Sequence, residues 1–244
     1  MEKASDKLPA TGNVLLDSLP WESRDRLAPR LERLSLAVRH PVYEPGGPIP
    51  HVYFPLDSII SLVAVLADRE EVEVLTVGRE GMAGMPVFWG TVTIPTKAYC
   101  QIPGEAYRVS AGVFRSEVDR GGELPGLFLR YTQAAFNQVA WSAACNRVHP
   151  IEQRCARWLL MTHDRVGRDD FELKQELLAE MLGVRRAGVS AAAGALQRAG
   201  HIRYARGRIC VVNRTGLESA ACECYRVIRD EYSRLFNNTD HPVE

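Results

Sequence analysis

The chain has no excess of either charge: 30 lysines and arginines stand against 30 aspartates and glutamates over 244 residues. A protein that binds nucleic acid or membrane through bulk charge is thereby excluded. No apolar run approaches the roughly 20 residues of a membrane span, and the opening MEKASDKLPATGN lacks the apolar segment of a secretory signal. Both absences predict a cytoplasmic protein without a membrane partner. There is no P-loop, no G-x-G-x-x-G, no nucleophile elbow and no His-x-x-x-His spacing, so no catalytic residue is assigned and no enzyme is expected. Repeats and low-complexity tracts are also missing. The six cysteines do not suggest a disulfide framework in a chain of this size and setting. With 46% apolar residues there is enough for ordinary cores, and the length suits two modest domains.

What is present is a distinctive stretch from 171 to 214. Leu177, Leu178, Met181 and Leu182 give a helix one apolar face. Gly183 suits a tight turn between crossed helices. A second helix is predicted from Arg185 to Arg198, with Val189, Ala192, Ala193 and Leu196 inward and Gly200 as its stop. Ile202 to Val212, alternating around Arg206-Gly207, reads as a hairpin. Lys174 to Arg214 holds eight basic and two acidic residues, a net +6, so the remainder of this neutral chain carries −6. Concentrating positive charge on one helix-turn-helix and wing is the footprint of phosphate binding.

Upstream, residues 1 to about 12 are polar and read as disordered, and Val14 to Leu36 shows short helical patterns through Leu27, Leu31 and Leu34. Short β-rich runs follow (Val52–Phe54, Ile59–Leu66, Val72–Val77, Ala98–Ile102), separated by turn signals at 44–48, 67–70, 78–81 and 103–104. That alternation predicts a compact antiparallel barrel or jelly roll. Leu124 to Arg147 predicts a helix of about 20 residues, roughly 30 Å long. Two stripes run along it: Leu127, Tyr131, Ala134, Gln138, Trp141, Cys145, Val148, and Leu124, Phe128, Tyr131, Ala135, Gln138, Ser142, Cys145. Two faces suit two jobs, packing on the β-domain and pairing with a partner helix; a single buried helix in a monomer is the other reading. His149-Pro150 ends the helix, and the next begins near Ile151. The predicted units are a sensory barrel at 13–123, a dimerisation helix at 124–148 and a winged helix-turn-helix at 149–236.

This order, with HVYFPLDSIISLV (51–63), VGREGMAGMP (77–86), RCARWLLMTHDRVG (154–167), MLGVRRAGVSAAAGALQRAGHIRY (181–204) and CECY (222–225), resembles the Crp/Fnr family of bacterial transcription regulators over nearly the whole chain. The resemblance implies an α+β protein: an N-terminal antiparallel jelly roll like that of cyclic-nucleotide-binding domains, a dimerisation helix and a C-terminal winged helix-turn-helix. It implies a homodimer on palindromic double-stranded DNA, with half-sites roughly 34 Å apart, contact with RNA polymerase, and control by an effector in the barrel. The family's main base-reading arginine falls on Arg186, where bidentate pairing with guanine discriminates by about 1–3 kcal/mol. Its glutamate one position on falls on Ala187, and its second arginine on Ala191. Readout therefore rests on Arg186 with Arg185 and Ser190. Lys174, Gln175, Arg206 and Arg208 are expected at phosphates, which position without reading sequence. The alternative is an effector-binding or thiol-sensing module whose degenerate helix-turn-helix contacts protein.

The family's cyclic-nucleotide cassette would place Glu80, Thr96 and Lys97 at an effector. Its arginine is replaced by Thr96, and Lys97 has no planar fork, so another small effector, or none, is as well supported. Met82, Met85, Phe88 and Trp89 read as core. No cysteine precedes Cys100, which argues against the N-terminal iron–sulfur cluster of some relatives. For haem, His40, His51 and His149 are candidates by type only and read as surface residues. No cofactor and no metal are assigned. Cys222 and Cys224 are a candidate redox pair, since two cysteines do not complete a tetrahedral site and Cys145 and Cys155 would have to be brought in by the fold.

Overall fold

A computed structural model describes residues 10–67 and 71–237. Most of the polar N-terminal stretch, and positions 68–70 of the turn expected at 67–70, lie outside the described residues. Asn13 is fully buried; its side chain caps α1 (Val14–Asp17) by accepting from the Leu16 amide and donates to the carbonyls of Pro55 and Gly81 at 2.8 and 2.9 Å. A second helix, α2, covers Trp21–Leu27. Glu32–Leu36, expected to continue the helical pattern, is strand β1. The leucine spacing there is overridden by pairing with a strand some 70 residues away, Leu34 lying opposite Ala106.

Seven antiparallel strands build the N-terminal domain. Strands β1, β3 (His51–Pro55) and β7 (Gly104–Ser110) form one sheet in the order β1-β7-β3. Strands β2 (Pro41–Tyr43), β4 (Ile59–Val65), β5 (Glu71–Val77) and β6 (Lys97–Ile102) form the other, β2-β6-β4-β5. Short helices α3 (Met85–Phe88) and α4 (Ala111–Asp119) close the end. Four aromatic rings tie this core to the long helix: Phe54 to Phe114, Phe114 to Phe128 at 5.1 Å edge to face, and Phe128 to Phe88.

Helix α5 (Leu124–Val148) runs 25 residues. The two stripes read from sequence prove to be largely one face. Leu124, Leu127, Phe128, Tyr131, Ala134, Ala135, Gln138 and Cys145 are all buried within this chain. The unpartnered apolar face is a different one, formed by Leu129, Phe136 and Val139, with Phe136 69% exposed. Glycines of the VGREG motif let α5 and the next helix come close. A β-carbon on Gly81 would strike the Tyr131 hydroxyl, which donates to the Met82 carbonyl, and one on Gly78 would strike the stem of Arg165.

His149 is extended at the end of α5 and Pro150 opens α6 (Ile151–Val166), as the His-Pro break predicts. Strand β8 (Asp170–Glu172), α7 (Gln175–Leu182), α8 (Arg186–Arg198), β9 (Ile202–Ala205) and β10 (Arg208–Val211) make the winged helix-turn-helix, with sheet order β8-β10-β9. Gly183, at φ +60°, takes the left-handed turn between α7 and α8. Arg206 and Gly207 both have positive φ, which gives the hairpin the primed type of turn that matches strand twist. Helices α9 (Arg214–Ala220) and α10 (Cys224–Asn237) follow, and α10 packs back on α5. No helix among the described residues is long and apolar enough to cross a membrane.

Helices α6 and α7 lie on the outer face of the four-stranded sheet. Glu73 accepts from Ser61 Oγ at 2.8 Å and from Trp158 Nε1 at 2.9 Å. Arg39 pairs with Glu180 and Arg168 with Asp57 across the same junction. Beside them Arg165 donates to Glu80, Thr76 and Gln138. Gln138 in turn donates to Thr76 and accepts from Tyr232, so one amide joins β5, α5, α6 and α10.

Burial raises the Glu73 carboxyl above the ordinary value of 4.5, outweighing the hydrogen bonds from Trp158 and Ser61 and the nearby arginines. The neutral acid is thus favoured in the folded state. Its stabilising contribution is fully present below 4.5 and is lost as pH rises through the raised value. Glu73→Gln keeps groups that can bond to Trp158 and Ser61 and removes the titration. It is expected to raise the melting temperature at neutral pH, with the gain shrinking toward zero below pH 4.5. A stability loss at neutral pH would contradict this reading.

Candidate nucleic-acid interface

The exposed face of α8 carries Arg186, Ala187, Ser190 and Ala191, while Val189, Ala192, Ala193 and Leu196 are buried. The helix packs tightly on α6: a β-carbon on Gly188 would sit 3.0 Å from Ile151. Arg185 is the N-cap of α8, with extended backbone, so Arg186 is the first residue of the helix and lies exposed at its N-terminal end.

Lys174, Gln175, Arg186 and Arg206 line one groove together with Glu176 and Tyr204. Ser190 joins them by donating to Gln175 Oε1 at 2.8 Å. Five of the seven residues proposed from sequence therefore converge. The other two do not sit with them. Arg185 faces a cleft shared with Arg39, Glu71 and Glu180, toward the barrel. Arg208 pairs with Asp170 and Glu172 of the neighbouring strand, at 3.0 and 3.3 Å, and is not among the residues lining this groove. Among the described residues no ion pair engages Lys174 or Arg206. Lys174 starts α7 without a side-chain cap.

Glu176 was missed by the sequence reading. Its Oε1 lies 2.9 Å from Arg186 Nη1, with the two side chains 56% and 66% exposed. A pair so open to water is worth at most about 1 kcal/mol, so it orients Arg186 without withholding it from a stronger partner. The signal was available: an acidic residue in the first turn of α7, within a stretch with only one other acid.

The barrel does not assemble the effector residues. Glu80 is taken up by Arg165 Nε at 2.8 Å and by the Gly78 amide. Lys97 is paired with Glu71 and lies over the Tyr99 ring. Thr96 has a buried hydroxyl with no hydrogen-bond partner. Met82, Met85 and Phe88 are core residues as expected, but Trp89 is 48% exposed. His149, read as a surface residue, is instead largely enclosed beside Cys224. Cys222 and Cys224 lie against Cys145, whereas Cys155 is buried separately within α6.

The fold and interface define a two-part protein: an antiparallel jelly roll joined by a long helix to a winged helix-turn-helix. Residues 153–220 match the family model of the Crp-like helix-turn-helix domain. Among solved structures, FixK2 of Bradyrhizobium japonicum is similar with a TM-score of 0.67 at 15% identity, covering 79% of this chain and 98% of that one. A CRP-family transcriptional regulator of Thermus thermophilus gives 0.63 at 19%, covering 78% and 96%. A crp/fnr-family regulator of Eubacterium rectale gives 0.63 at 13%, covering 84% and 96%. No curated protein matches the chain. Residues 153–220 thus form a Crp-like helix-turn-helix domain, and the chain as a whole shares the fold of these regulators.

Proposed function

We propose that the chain works as a homodimer on two-fold-symmetric DNA, each subunit placing α8 in a major groove. The observation that carries this is the convergence of Lys174, Gln175, Arg186, Ser190 and Arg206 on one exposed groove. Arg186 reads a base, while Lys174 and Arg206 hold phosphates. Promoter-bound, such a dimer would meet RNA polymerase. Contacts between the barrel sheet and α6–α7 supply the control point. A signal acting on the barrel biases DNA binding to the extent that it favours one arrangement of these contacts over another. A cyclic nucleotide is poorly supported as that signal, because Glu80 and Lys97 already have partners within the chain. Retention of fragmented genomic DNA on the purified protein tests the reading. Retained fragments are expected to share a palindrome; uniform retention would contradict it.

The free face of α5 supplies the subunit contact. Leu129, Phe136 and Ala143 recur every seven residues, with Val139 and Ala140 between them, which is coiled-coil spacing. Phe136→Glu removes two large apolar side chains per dimer and sets two carboxylates near each other. Each phenyl contributes about 1.5–3 kcal/mol, so the dimer constant is expected to weaken at least about a hundredfold. Sedimentation equilibrium checks this, and an unchanged dimer would place the interface elsewhere.

A further inference from the structure

Four side chains that the DNA-binding role does not use meet where α5, the His-Pro break and α10 come together. Cys145 and His149 are one helical turn apart at the end of α5, so they share a face. Cys222 lies just before α10 and Cys224 opens it. Their ligand atoms all lie within 4.8 Å of one another. Cys145 Sγ is 3.5 Å from Cys222 Sγ, and Cys224 Sγ is 3.7 Å from His149 Nδ1. These are close to the edges of a tetrahedron whose centre is about 2.3 Å from sulfur and about 2.0 Å from nitrogen.

We propose that Cys145, His149, Cys222 and Cys224 bind one zinc ion, as a closed site of three thiolates and one imidazole. Three features beyond proximity point to a metal. The thiols are buried, Cys145 completely, and Cys145, Cys222 and Cys224 form a cluster of their own, separate from the main hydrophobic core. The imidazole is oriented from outside: Nδ1 faces the sulfurs, while Nε2 lies 3.3 Å from the Glu223 carboxylate. That is the carboxylate–histidine arrangement that fixes a ligating tautomer and raises its basicity. Three thiolates and a neutral imidazole around Zn2+ carry a net charge of −1, and the positive charge of Arg157 acts on Cys145 to offset it.

Soft sulfur donors with one imidazole in tetrahedral array select zinc over hard cations. Four protein ligands leave no open position, which makes the site structural rather than catalytic. Binding is balanced as Zn2+ replacing three thiol protons, which are released to solvent. The ion would fasten α10 to the end of α5 and fix the His149-Pro150 break. It would thus hold the joint from which the helix-turn-helix hangs.

The test uses the full-length protein. Metal content is measured after purification without chelator, and the chelator-stripped, fully reduced protein is titrated with Co2+ and then Zn2+. One equivalent per chain is expected. Co2+ should give the visible bands and thiolate charge-transfer absorption of a tetrahedral site, and Zn2+ should abolish both. Cys224→Ser should lose stoichiometric binding, Cys155→Ser and Cys210→Ser should retain it, and His149→Cys should retain it with a more intense charge-transfer band. Absence of the tetrahedral Co2+ spectrum in the reduced wild-type protein would overturn the proposal. So would an iron–sulfur chromophore, or uptake that survives Cys224→Ser.

Discussion

Arg165→Leu is expected to destabilise the protein by about 3–5 kcal/mol, the usual effect of removing one partner from a buried ion pair. Arg165 is only 6% exposed, and its partner Glu80 only 14%. Without the guanidinium, Glu80 keeps a buried charge, and Gln138 and Thr76 lose the donor they share. In a chain of this length the melting temperature should fall by roughly 10 °C. The double variant Arg165→Leu/Glu80→Leu should recover most of the loss, because the penalty lies in the stranded charge rather than in the missing attraction. Thermal unfolding of the three proteins decides the matter. A single-variant loss below about 1 kcal/mol would mean that Arg165 is not enclosed between β5, α5 and α6.

The second large effect falls on DNA. Arg186→Ala should remove about 1–3 kcal/mol of discrimination per half-site at one base pair, twice that for a symmetric dimer. Affinity for unrelated duplexes should change far less, since Lys174 and Arg206 remain. Binding isotherms against a preferred duplex and its G·C-substituted form measure the difference. Glu176→Gln should act in the opposite sense: it removes a negative charge from the groove that faces the phosphates, and binding to any duplex rises a few-fold at low salt. Equal losses on both duplexes in Arg186→Ala would make it a phosphate contact.

The helix-turn-helix was legible because its determinants are local. Gly183 sets the turn, leucines and alanines at helical spacing set both helices, and Arg206-Gly207 sets the hairpin. The long helix was equally readable, from an unbroken run ended by His149-Pro150. What escaped depended on partners distant in sequence. Strand β1 carries a helical leucine pattern and is decided by β7. The free face of α5 is hidden in the sequence because Gln138 and Cys145 look ambiguous there, whereas α10 and β5 cover them. Glu80 looks like a ligand residue because its partner, Arg165, lies 85 residues on. The cysteine cluster shows the same limit: Cys222-x-Cys224 was visible as a pair, and only the return of α10 along α5 adds Cys145 and His149.

Selection of bound duplexes from a random pool at about 150 mM salt, where non-specific phosphate contacts are weakened, tests most directly that this chain reads DNA sequence through α8. The wild-type protein should enrich a two-fold motif with half-sites about one helical turn apart, and Arg186→Ala should enrich the same spacing with the preference at one G·C pair per half-site lost. A pool that stays random with the wild-type protein, with and without cell extract to supply an effector, would contradict the account.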